Sequence, residues 1–118
     1  MENTRTALLS LHRTLVDFER RTYEKTHGRT SGGDFLQALV RDPSLAWLAP
    51  LTSQIARLDE LADAKETAAQ RRTWRARMRS LLRRDAADGA FGAEYAKRIE
   101  SSPDVAFAHA AALHSLKT

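Results

Sequence analysis

His12 and Glu19 are the residues whose types and spacing could do chemistry. They sit inside "LLSLHRTLVDFERRTYEK", residues 8–25. At about 100° per residue, Leu8, Leu11, Leu15 and Phe18 fill one side of an apolar arc. Leu9, Val16 and Tyr23 fill the other side. His12 and Glu19 fall between them, seven residues apart and so nearly on one line. Near the other end of the chain, His109 lies inside the stripe Val105, Ala108, Ala112, Leu113 and Leu116. If the first and last helices are antiparallel neighbours, a rise of about 1.5 Å per residue puts His12 and His109 at one level, with Glu19 about 10 Å further along.

The spacing therefore predicts a His12–His109 layer in the core. The candidate ligand-binding set is His12, Glu19, Tyr23 and His109. A neutral imidazole is a good transition-metal ligand, and helical bundles host metals in their cores. The alternative is plain hydrogen bonding, because a buried polar group without a partner costs a few kcal/mol. The general rule that buried polar groups are paired favours that second reading.

The motifs of known metal chemistry are missing. A di-iron bundle needs Glu-x-x-His on two helices with further Glu, and the chain does not carry it twice. HExxH is absent. With no Cys, disulfides, thiolate sites and Cys nucleophiles are excluded. No Ser/His/Asp set has an interpretable spacing, so no catalytic residue, no bound metal and no cofactor is expected.

A second candidate is electrostatic. Seven arginines fall in the fourteen residues 71–84, with no acid among them, while the whole chain carries only +4. On a helical wheel Arg72, Arg75, Arg79 and Arg83 form a stripe opposite the face of Trp74, Met78, Leu81 and Leu82, which reads as solvent-facing. That spacing could follow phosphates, which makes nucleic acid a possible partner. No helix-turn-helix grammar or aromatic platform accompanies it. A solvated face paired to acids is the simpler reading.

The elements that must position these residues are all helical. Ala, Leu and Arg dominate, and nothing alternates with period two. The first helix runs from Thr4 or Thr6 to His27, with Gly28 as its left-handed stop. "DFLQALV" follows Ser31, which has capping-box spacing to Asp34. Asp42-Pro43 and Ser102-Pro103 have the form of N-cap followed by first-turn proline. Pro50 must kink or restart its helix. A helix over Thr67–Arg84 and another carrying Phe91, Tyr95 and Ile99 complete the count. The predicted architecture is an all-α, single-domain, up-and-down four-helix bundle over residues 1–118, its second and fourth helices kinked or broken.

The last helix has a second stripe, Phe107, Ala111 and His114. Either the broken second helix covers it, or another subunit does. No apolar run approaches the roughly 18 residues of a membrane span. The start lacks the long apolar core of a secretory signal. A cytoplasmic protein is expected, with a protein partner or self-association and no membrane.

"LSLHRTLVDFERRTYEKTHGR", "FLQALVRDPSLAWLAPLTSQIARLDEL" and "SSPDVAFAHAAL" together resemble a family of small uncharacterised bacterial helical proteins. Its skeleton is LH…ER..YE..HGR…DP..AWL.PL…AHA. The resemblance spans most of the chain and is poorest over Lys65–Asp88, which contains the arginine run. It implies the helical fold and no activity, so no site residue carries over. The expected function is that of a non-enzymatic helical interaction module that forms a homodimer. The alternatives are a ligand or metal in the core around His12, His109 and Glu19, and nucleic-acid binding through Arg72–Arg83.

Overall fold

Proline and its capping partners decide where the helices of this chain stop and restart. The computed structural model describes residues 2–63, 68–83 and 90–117, with no strand among them. The elements are α1 (Glu2–His27), α2 (Gly32–Arg41), a 3₁₀ segment (Pro43–Leu48), α3 (Ala49–Asp63), α4 (Ala68–Leu82), α5 (Ala90–Ser101) and α6 (Pro103–Ser115). The turn expected in "DAKET" beyond Asp63 and the break at Gly89 lie outside the described residues.

Each junction has the local cause that the sequence implies. Gly28 ends α1 at φ +79°, a backbone conformation that side chains disfavour, and its N–H bonds Glu24 O at 2.8 Å. Ser31 Oγ accepts the Asp34 N–H and starts α2. Asp42 is extended at ψ 119°, as a residue before proline prefers, and its Oδ1 accepts the Ser44 N–H at 2.9 Å. Ser102 is extended likewise, and its Oγ accepts the Val105 N–H. Pro50 lies in the first turn of α3, where no intrahelical donor is required. It restarts the chain after the 3₁₀ segment rather than bending a continuous helix.

The expected breaks are therefore complete, and four helices with two interruptions become six separate α-helices among the described residues. The first and last are antiparallel: Thr4 Oγ1, at the start of α1, donates to Ser115 O, at the end of α6, at 3.0 Å. At about 1.5 Å per residue the 26 residues of α1 span about 39 Å, most of the molecule's 46 Å length. The core collects one stripe from each of five α-helices: Leu8, Leu11 and Leu15; Leu51, Ile55 and Leu58; Trp74, Met78 and Leu82; Phe91, Tyr95 and Ile99; Val105, Ala108, Ala112 and Leu116. All recur at three- or four-residue spacing, the signature of a helix face. No helix among the described residues is long and apolar enough to cross a membrane.

Ser102 is buried and its hydroxyl serves the first turn of α6. Ser102→Ala should lower stability in urea by about 1 kcal/mol, the usual worth of a cap, with helix content by circular dichroism unchanged. An unshifted denaturation midpoint would show that the cap is not needed at this joint.

Candidate functional site

Glu19 continues the buried stripe Thr4, Leu8, Leu11 and Leu15 along α1 and is itself only 3% exposed. A carboxylate there requires a partner, since an unpaired buried charge is very costly. The partner is Arg98 of α5, whose Nε donates to Glu19 Oε1 at 2.5 Å. Arg98 Nη1 also reaches Glu94 Oε1 at 3.2 Å, and its guanidinium carbon lies 4.8 Å from the centre of the Trp47 ring. One cation thus serves two carboxylates and an indole face. Nothing in the arrangement leaves Glu19 available as a general acid or base.

His109 is buried beside Tyr95 of α5, and a 2.7 Å hydrogen bond joins its Nδ1 to the phenol oxygen. Burial pushes the Tyr95 phenol well above its ordinary value, so it stays protonated. Rings run in sequence from Trp47 to Phe91 at 5.6 Å, to Tyr95 at 5.2 Å and to His109 at 5.3 Å. This is a packed aromatic row with its polar end satisfied.

His12 takes a different direction. Its Nε2 lies 2.9 Å from Thr52 Oγ1 of α3. Counting from the Thr4–Ser115 contact, His12 is about 12 Å along α1 and His109 about 9 Å back along α6, so the two heights agree as expected. Within that layer the two imidazoles have different partners, His12 bonding Thr52 of α3 and His109 bonding Tyr95 of α5. Tyr23 belongs to neither. It stacks on His27 with ring centres 4.0 Å apart and meets Phe35 of α2 edge-on at 5.7 Å. The chain's Glu-x-x-His, Glu24 to His27, is used in the same turn: Glu24 accepts the Thr30 N–H, and His27 Nδ1 donates to Tyr23 O. Arg20 donates to Thr30 O at 2.6 Å, which completes the clamp that sets α2 against α1. Among the described residues no three His, Asp or Glu side chains gather as a metal-holding group.

The arginine stripe is not the solvent face that its wheel suggests. Arg72 and Arg83 are exposed, but Arg75 and Arg79 are half-buried. Arg75 Nη1 donates to Ser115 O at 3.2 Å and Arg79 Nη1 to Leu116 O at 2.7 Å. These carbonyls end α6, where the helix dipole is negative and backbone acceptors lack partners. The side chains reach past the edge of the core to another helix's end, which a single-helix projection cannot display.

Two of the surface depressions among the described residues lie beside His12 and beside the outer stripe of α6. The first, of about 470 Å³, lies among α1, α2, the 3₁₀ segment and α3, with His12 and Thr52 in its lining. The second, of about 500 Å³, runs between α1 and α6 beside Phe107. Arg98 is the site residue that sequence reasoning missed. Its signal was available: it falls seven residues after Phe91, on the flank of the Phe91–Tyr95–Ile99 stripe, as Glu19 does on α1. No family model matches the chain, nor does any curated protein or solved structure.

Removing one member of a buried ion pair strands the other. Glu19→Ala should cost about 3 kcal/mol in chemical denaturation, and Glu19→Leu combined with Arg98→Leu should recover most of it. Burial also lowers the His12 imidazole below its ordinary value. Between that lowered value and about 6.5 the unfolded chain holds more protons than the folded one, so stability falls as pH drops through this window. Denaturation from about pH 7.5 to 5.5 should show that loss in the natural chain and a flatter profile in His12→Gln.

Proposed function

We propose that this protein is a non-catalytic helical interaction module that pairs with a second copy of itself across the outer face of α1 and α6. The observation that carries the reading is Phe107, 80% exposed. A phenylalanine that gains so little burial from its own fold offers most of its area to a partner. Ala111 and His114 of the same outer stripe are exposed as well. Of the two coverings that the sequence allowed for this stripe, the chain's own second helix is not one: α2 and α3 lie elsewhere, around His12.

The same face supplies both halves of a fit. Beside Phe107 the α1–α6 groove is lined by the small side chains of Ala7, Ser10, Thr14, Ala108 and Ala111. A projecting ring and a shallow groove on one surface are what an isologous, two-fold contact needs. Asp17, Arg21 and Asp104 line the same groove, so a second copy offers each sign of charge a counterpart. A cysteine-free chain suits a reducing compartment, and the cytoplasm is the place we propose for it. The nucleic-acid reading has less support, since Arg75 and Arg79 are engaged at the end of α6.

Sedimentation velocity should show a dimer at high micromolar concentration. Phe107→Asp should weaken it at least about tenfold, as loss of an aromatic anchor does. Folding stability should move by no more than about 0.5 kcal/mol, because Phe107 contributes little to its own core. A natural chain that stays monomeric across that range would remove the proposal.

A further inference from the structure

We infer that the groove among α1, α2, the 3₁₀ segment and α3 binds a small neutral apolar molecule carrying one hydroxyl or N–H donor, an aliphatic alcohol being the simplest member. It lies on a different face from Phe107 and does not depend on the dimer.

Size comes first. About 470 Å³ is within the span of small-molecule sites, roughly 300–1,000 Å³. The walls come second. Val16, Leu36, Val40, Leu45, Leu48 and Ala49 supply apolar surface from four elements, and no Asp, Glu, Lys or Arg lines the groove. Leu36 and Val40 are 63% and 86% exposed on the α2 wall, so an apolar occupant removes from water surface that folding leaves wet.

The polar end decides the class. The Thr52 hydroxyl has one hydrogen, and it donates it to Leu48 O at 3.2 Å. With that hydrogen used, we assign the 2.9 Å contact between His12 Nε2 and Thr52 Oγ1 to an Nε2–H that donates to the hydroxyl. In the neutral ring that burial favours, Nδ1 is then an acceptor. His12 therefore brings an acceptor to a groove whose other polar side chains are the Thr52 and Ser53 hydroxyls, with no other charged or titratable group. A hydroxyl or N–H donor satisfies it. A carboxylate presents only acceptors and brings a charge with no counter-ion. An ammonium likewise finds no acid. An ether or alkane fills the walls and leaves Nδ1 unmet.

The test is a titration of the full chain followed by nitrogen–proton NMR, with octanol, octyl methyl ether and octanoate at neutral pH. Octanol should give saturable shifts in the amides of α2 and the 3₁₀ segment. The ether and octanoate should bind about tenfold more weakly, the worth of one hydrogen bond. His12→Phe keeps a ring in the wall and removes the acceptor, so the preference for octanol over its ether should vanish. Ala49→Phe, at an exposed wall position, should abolish binding while the spectrum remains that of a folded chain. The inference is overturned if octanol shows no saturable shifts, if they fall on the α6 face, or if octanoate matches octanol. An undiminished octanol preference in His12→Phe overturns it equally. Should His12→Phe fail to fold, the ligand series and Ala49→Phe still decide.

Discussion

The antiparallel packing of α1 against α6 is the contact on which the rest of this fold depends. α1 is the longest element and buries Leu8, Leu11 and Leu15 completely. Each such side chain is worth about 1.5–3 kcal/mol in removal from water. α6 answers with Ala108 and Ala112, whose small volume allows close approach of two helices, and with Val105 and Leu116. Every other element is placed by what this pair leaves over. α3 takes the side of α1 that holds His12, α5 takes Glu19 and His109, and α4 closes the end of α6 with two guanidinium groups.

The polar residues inside this frame are distributed in the way that a low-dielectric interior requires. Glu19 has a cation, His109 a phenol and His12 a hydroxyl. Arg98 is the most economical of these partners, because a planar guanidinium presents donors at its edge and a face to an aromatic ring at once. The indole N–H of Trp47 is the exception: it is buried without an acceptor among the described residues.

Much of this was legible in the sequence, because much of it is local. The Ser31, Asp42 and Ser102 caps, the stop at Gly28 and the apolar stripes follow from residues within one or two turns of each other. The level of His12 relative to His109 was also legible, since rise per residue and an antiparallel arrangement fix it. Their different partners were not. A helical wheel gives the direction of a side chain but not which neighbour stands there, and α3 and α5 flank α1 and α6 on different sides. The arginine stripe failed for the same reason, as the end of α6 that Arg75 and Arg79 serve is some forty residues away. Glu19 and Arg98 are further apart still, 79 residues. Either position alone looks like a charged residue on the wrong side of its helix, and only the pair makes sense of both.

The Thr4–Ser115 contact also joins two parts of the chain 111 residues apart, so one is made well before the other. On a ribosome adding about 5–20 residues per second, the leucine stripe of α1 waits roughly 4–20 seconds for α6 to be synthesised. During that interval its apolar face has only the elements made between the two helices and whatever else in the cell will shield it. Helical proteins usually assemble from neighbours in sequence and fold early. This one closes the α1 face of its core only when α6 arrives, so its window of vulnerability to premature association is set by the pace of translation.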